Sequence, residues 1–148
     1  MQLTRFVDLA LRVLLYVAHL HTREEPVTRR ELAAYYGVSQ EHLRKVIHRL
    51  AQEGLLTTSR GRHGGLRLAR PAARIRLGEA VECMAGKLNI VDCTAQQCIL
   101  RGPCSLKGAL NNAARAFVET LDTYTLEDLL VERAMQSRMT NIKLVRAA

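Results

Sequence analysis

Between Thr28 and Gln52 the sequence leaves little freedom in local structure. Thr28-Arg29-Arg30-Glu31 has capping-box spacing, in which the threonine hydroxyl and the acid three positions on satisfy each other's backbone donors. A short helix then runs to Tyr36, Gly37-Val38 supplies a turn, and Ser39 is a second N-cap. Leu43, Val46, Ile47 and Leu50 come next at i, i+3, i+4 and i+7, an inward stripe, while Gln40, Glu41, Arg44, Lys45, His48, Arg49 and Gln52 occupy the opposite face. A short helix, a tight turn and a basic second helix predict a helix-turn-helix, whose second helix can lie in the DNA major groove.

The next segment, residues 54–69, fits a wing. Gly54 ends the helix, Leu55 to Ser59 alternates enough for a strand, and the tip Arg60-Gly61-Arg62-His63-Gly64-Gly65 precedes a second strand, Leu66-Arg67-Leu68-Ala69. Arg60, Arg62 and His63 on the tip are placed to reach phosphates or a narrow minor groove. Together with Thr28, Ser39, Gln40, Glu41, Arg44, Lys45, His48 and Arg49, they form the expected contact set for double-stranded DNA.

Charge supports this reading. The formal net charge is +8, and residues 1–76 hold 14 Lys and Arg against 6 Asp and Glu, whereas residues 77–148 hold 8 against 8. The excess therefore belongs to the half with the helix-turn-helix, where it favours an anionic partner. A lipid surface fits less well, because the basic residues are split between a helix and a hairpin and do not line one amphipathic helix. No uncharged run reaches the ~18–20 residues a membrane span needs, and the amino terminus lacks a signal-peptide layout. The protein is expected in the cytoplasm with no membrane partner, and there clustered cysteines bind metal or sense redox state more often than they form disulfides.

Around this unit the chain is helical. Phe6, Leu9, Ala10, Val13, Leu14, Val17 and Leu20 recur at helical spacing after a Thr4 N-cap, and Leu77, Ala80, Val81 and Met84 mark the inward face of a helix closed by Gly86. Beyond Cys104 the apolar residues Leu106, Leu110, Ala113, Phe117, Leu121 and Tyr124 are separated by 4, 3, 4, 4 and 3 positions, the near-heptad stripe of a helix packing along another helix. With so little chain remaining, a second copy is the natural partner, so a homodimer is expected. Thr125 to Asp128 caps a last short helix. The expected fold class is mainly α: a winged helix-turn-helix DNA-binding domain (1–76), a connector helix and cysteine loop (77–104), a long dimerisation helix with a terminal helix (105–136), and a disordered basic tail (137–148).

The cysteine loop carries the remaining chemistry. Cys93, Cys98 and Cys104 are separated by four and five residues, not by the two of zinc-ribbon or thioredoxin-like pairs. Longer gaps wrap a larger object than one ion, and soft thiolates suit an iron-sulfur cluster; a three-cysteine zinc site and a thiol switch remain open alternatives. Ser105 reads as the N-cap of the long helix, which places Cys104 at the helix end that favours anions. Three cysteines leave a four-ligand cluster one ligand short. Cys83 reads as a buried free thiol on its helix, Lys107 does not normally ligate, and Asp8 is a candidate whose plain alternative is an ion pair with Arg12 or Arg5.

The opening Met1-Gln2-Leu3-Thr4 with Asp8-Leu9-Ala10-Leu11-Arg12, the Gly64-Gly65 wing followed by Leu68-Ala69, and the three-cysteine loop before a long helix resemble the Rrf-type winged-helix regulators. The resemblance covers residues 1–125, and the cysteine spacing with Asp8 is similar to the family's nitric-oxide-sensing repressors. It implies a homodimer with crossed long helices and a 4Fe-4S cluster in each subunit, held by Cys93, Cys98 and Cys104, with Asp8 of the partner subunit as fourth ligand. Another branch carries a histidine three residues after its last cysteine and holds a 2Fe-2S cluster; Lys107 stands there in this chain and argues against that branch. The functional expectation is a repressor that binds a palindromic operator and releases it when nitric oxide attacks the cluster. A regulator of the same fold responding to cluster status or oxidative stress, and a zinc-bearing DNA-binding protein, are the alternatives. No second constellation of His, Asp or Ser marks an enzyme.

Overall fold

The computed structural model describes residues 3–61, 64–86, 88, 90–91, 93, 98 and 104–131. Helix α1 (Arg5–His19) starts at Thr4, whose hydroxyl accepts from the Val7 amide at 3.3 Å, and it is the central strut of the molecule. Its inward face, Val7, Ala10, Val13, Leu14, Tyr16, Val17 and Ala18, is essentially dry. α2 (Arg29–Tyr36) carries the capping box read from the sequence and stops at Gly37, which takes the left-handed conformation that only glycine adopts without strain. α3 (Gln40–Gln52) starts at Ser39 and buries Leu43, Val46, Ile47 and Leu50, each worth roughly 2 kcal/mol relative to exposure.

β1 (Leu56–Thr58) and β2 (Leu66–Leu68) pair antiparallel with Leu56 opposite Leu68 and Thr58 opposite Leu66. Val27 adds a bridge to Leu66, exchanging backbone bonds of 3.2 and 2.8 Å, so the wing is anchored to the segment that leads into α2. A 3-10 turn at Ala72–Arg74 leads to α4 (Leu77–Ala85). α5 (Ser105–Leu121) and α6 (Leu126–Val131) complete the described chain. Thr125 and Asp128 form a reciprocal cap on α6, the threonine hydroxyl accepting from the Asp128 amide at 3.2 Å and the carboxylate from the Thr125 amide at 2.8 Å. The mainly helical winged helix-turn-helix is thus the fold. The stretch 137–148 expected as a tail lies outside the described residues.

One apolar core runs through all of this. Leu77, Ala80, Val81 and Met84 of α4 and Leu126 of α6 belong to the same buried cluster as the inward faces of α1 and α3. α4 and α5 approach closely at Gly78: a side-chain carbon there would lie 2.6 Å from the Val118 carbonyl oxygen and overlap the Asp122 carboxylate, which instead accepts from the Glu79 amide at 3.0 Å. The end of α5 returns to the connector, where the Leu77 amide donates to the Tyr124 carbonyl at 3.0 Å.

Two expectations need correcting. The N-cap of α5 is Cys104, not Ser105, and its side chain makes no capping bond; Ser105 already has helical conformation, although serine is the commoner cap. The stripe on α5 also divides. Ala114 and Val118 are buried, with Leu110, Phe117 and Leu121 half-buried, whereas Leu106 and Tyr124 are 62% and 47% exposed and Ala113 faces out. At about 100° per residue the inward face is rotated toward 114 and 118, so one edge of the stripe packs within the chain and the other points outward.

Candidate nucleic-acid interface and cysteine loop

The outward face of α3 and the wing enclose a cleft of about 450 Å³ whose lining includes Thr28, Arg29, Arg44, His48, Ser59 and Arg60. Thr28 and Ser39 are exposed, and each hydroxyl accepts from a backbone amide, Glu31 at 3.1 Å and His42 at 3.2 Å. Gln40, Lys45 and His48 are exposed on α3, as is Arg60 on the wing. Arg62 and His63 lie outside the described residues. Glu41 accepts from Arg44 in a two-pronged pair, 2.9 Å from Nε and 2.8 Å from Nη2. The Arg44 hydrogen bond, reinforced by the charges of Arg44, Lys45 and Arg29, holds the Glu41 carboxyl below the usual carboxylate range.

Arg49 is used differently from its neighbours. Its guanidinium donates to the Cys83 carbonyl at 3.1 and 3.3 Å and pairs with Glu53 at 2.9 Å, so it ties the end of α3 to the last turn of α4. Arg29, in turn, lines the cleft although it is absent from the contact set expected on sequence grounds. The available signal was its position directly after the Thr28 N-cap, in a helix whose start faces the wing.

The platform beneath the interface is held by a nearly buried network. Glu31, only 8% exposed in its side chain, accepts from Arg23 at 2.8 and 3.1 Å and from the Tyr16 hydroxyl at 2.9 Å. Burial raises the Glu31 carboxyl, but the Arg23 and Tyr16 hydrogen bonds and the Arg23 charge outweigh it and leave the group below its ordinary value. Burial and the Glu31 carboxylate push the Tyr16 phenol well above its ordinary range. Tyr16, Tyr35 and Tyr36 pack with ring centroids 4.8 to 6.0 Å apart, and the Tyr36 hydroxyl donates to the Arg12 carbonyl at 2.9 Å. Arg67 fastens β2 to the loop before α2 by donating to the carbonyls of Arg23 and Glu24.

Cys83, Cys93, Cys98 and Cys104 are free thiols of intermediate burial. Burial, with the Glu53 and Glu79 carboxylates, raises the Cys83 thiol and keeps it protonated. Asp8 pairs with Arg12 at 3.0 Å on a half-exposed face of α1, the plain alternative to a ligand role. Among the described residues no group of three or more His, Cys, Asp or Glu side chains converges closely enough to hold a metal ion. The three cysteines of the loop are therefore not gathered into a metal-sized set within this single chain. Their donor chemistry still fits a soft metal group: thiols without disulfide partners, one of them at the start of a long helix with no capping bond to give up.

Residues 3–132 match the Rrf2 family, described as an iron-dependent transcriptional regulator. The chain belongs to the Rrf2 family. The HTH-type transcriptional regulator NsrR of Geobacillus kaustophilus (strain HTA426) is 42% identical over 137 residues, covering 90% of this chain and 92% of that protein. Among solved structures, the global cysteine regulator CymR of B. subtilis superposes with a TM-score of 0.71 at 22% identity, covering 87% of this chain and 95% of that one. IscR of T. potens gives a TM-score of 0.72 at 24% identity, covering 90% of both chains. These two likenesses speak for the fold alone. As an Rrf2 protein the chain is a DNA-binding transcriptional regulator, not an enzyme. Among the described residues of this Rrf2 chain no helix is long and apolar enough to cross a membrane.

Proposed function

We propose that this Rrf2 chain is a cytoplasmic, homodimeric iron-sulfur repressor whose hold on a palindromic operator is relieved by nitric oxide. The observation that carries the reading is the donor set: three free, half-buried thiols within twelve residues of sequence, the last of them the N-cap of α5. Cys93, Cys98 and Cys104 would hold the cluster, a 4Fe-4S cluster by the family resemblance, with Asp8 of the partner subunit as fourth ligand. When bound, such a group supplies iron that reacts with nitric oxide. Kinship to a regulator named NsrR supports this choice within the family.

The chain's own residues account for the rest. Gln40, Arg44, Lys45, His48 and Arg60 present donors to bases and phosphates, and two copies of α3 about one helical turn apart, ~34 Å, would read two half-sites. Leu106 on α5 and Tyr124, just past its end, leave exposed apolar surface for the second copy. Asp8 lies one turn before Arg12, whose carbonyl receives the Tyr36 hydroxyl, so a shift of α1 at Asp8 is passed to α2. Arg49 joins α3 to α4, the helix that runs into the cysteine loop.

The test is an absorbance and metal analysis of anaerobically purified protein, followed by DNA binding at fixed salt before and after nitric oxide. Visible absorption that nitric oxide bleaches, with release of DNA, is the expected result. A colourless protein with stoichiometric zinc, or DNA binding unaffected by nitric oxide, refutes it. Asp8→Ala should leave the cluster assembled but blunt the response; an unchanged response removes Asp8 from the switch.

A further inference from the structure

Glu41 is an odd residue for its position. It is exposed in the first turn of α3, the part of a recognition helix that contacts base edges, and phosphates repel a carboxylate there. Lys45 and Arg29 contribute to its surroundings, and it binds Arg44 through two hydrogen bonds, whereas the other basic residues of α3 are directed elsewhere: Arg49 to the Cys83 carbonyl, Lys45 outward. As a surface ion pair between exposed partners it adds little stability. Its geometry is more informative.

Arginine has five N–H donors. Glu41 occupies Nε and one hydrogen of Nη2, so the adjoining edge of the guanidinium, with Nη1 and the second hydrogen of Nη2, stays free as a pair of parallel donors. Each Glu41 oxygen keeps an unused lone pair on its outer side. The pair thus presents two donors and, beside them, an acceptor. In the major groove a G·C base pair presents the complement in a row: acceptors N7 and O6 of guanine, then the N4 amino donor of cytosine. No other base pair offers two acceptors followed by a donor, and C·G offers them in reverse order.

We infer that Glu41 and Arg44 read one G·C base pair in each half-site as a unit, Arg44 donating to guanine and Glu41 accepting from the cytosine amino group. Glu41 is then a specificity residue: it orients Arg44, it adds the cytosine contact, and it disfavours sequences that offer its carboxylate no donor. This rests on the reading that α3 enters the major groove.

The full-length chain, purified anaerobically, is used to enrich duplexes from a pool with a randomised 20-base-pair core, as wild type, Glu41→Ala, Glu41→Gln and Arg44→Ala. The wild-type motif should hold one G·C column per half-site that Glu41→Ala and Arg44→Ala each flatten by about tenfold, the other columns unchanged. Glu41→Gln, which keeps an acceptor oxygen, should preserve the column, and both Glu41 variants should bind a scrambled duplex several-fold more tightly than wild type. A Glu41→Ala motif identical to the wild-type one overturns the proposal, as does an even weakening of every column, which would indicate a merely structural role. If the wild type enriches no motif, the major-groove reading itself fails and takes this inference with it.

Discussion

The support network beneath the interface can be tested by Glu31→Gln. The substitution preserves volume and can still cap, since glutamine serves at the last position of a capping box, so the helix start is not what is perturbed. It removes the charge facing Arg23 and weakens the acceptor for the Tyr16 hydroxyl, which lies at 2.9 Å. An exposed pair would cost ~0–1 kcal/mol, and breaking a fully buried one ~3–5 kcal/mol. Here Glu31 is 8% and Arg23 21% exposed, and Arg23 keeps acceptors at the Glu25 and Pro26 carbonyls, 2.8 and 3.0 Å away. The expected loss is about 2 kcal/mol, or a Tm lower by about 4–8 °C for a chain of this size. The pH dependence adds a second signature. Because the folded Glu31 carboxyl is depressed, the unfolded chain takes up the proton first, near an ordinary glutamate value of about 4.3. The contribution is therefore present in full above that pH and is lost as pH falls through the folded value, whereas the glutamine variant has nothing to lose. Urea unfolding followed by circular dichroism, at one protein concentration and from pH 7 to pH 3.5, measures both. A wild-type advantage that stays constant across that range, or that is below about 0.5 kcal/mol at pH 7, would refute the reasoning.

Gly78→Ala should force α4 away from Val118 and Asp122 and destabilise the fold by about 1–3 kcal/mol, read as a lower urea midpoint. Cys93→Ser, Cys98→Ser and Cys104→Ser should each abolish bound iron and visible absorbance in anaerobic protein, while Cys83→Ala should leave both in place. Lys45→Ala and Arg60→Ala should weaken DNA binding evenly across sequences and each lower the slope of log affinity against log salt by about 1, measured by fluorescence anisotropy.

The fold was legible where sequence signals are local. The capping box at Thr28 and Glu31, the left-handed Gly37 and the stripe of Leu43, Val46, Ile47 and Leu50 set α2 and α3 without reference to the rest of the chain. What was not legible depends on tertiary geometry. Arg49 and Arg44 have the same composition signal on the same exposed face, but only the packing of α4 against α3 shows that Arg49 reaches the Cys83 carbonyl. The α5 stripe reads as one surface because helical periodicity cannot tell which edge meets α4 and which points outward. Arg29 was missed because its role comes from a wing nearly thirty residues away. Three thiols spaced for a soft metal group were visible in the sequence. Their positions in one chain depend on backbone geometry that spacing does not encode.

The core runs unbroken from α1 through α3 and α4 to α6. Among the described residues, one continuous core therefore ties the helix-turn-helix to α4 and α6, so these elements move together. If two copies pair through the outer edge of α5, as proposed above, the angle between them is set where they meet, and a small displacement there is magnified at the wing tips. On that proposal, changes at Leu106 on the outer edge of α5 should alter the response, whereas changes within the shared core should alter stability alone.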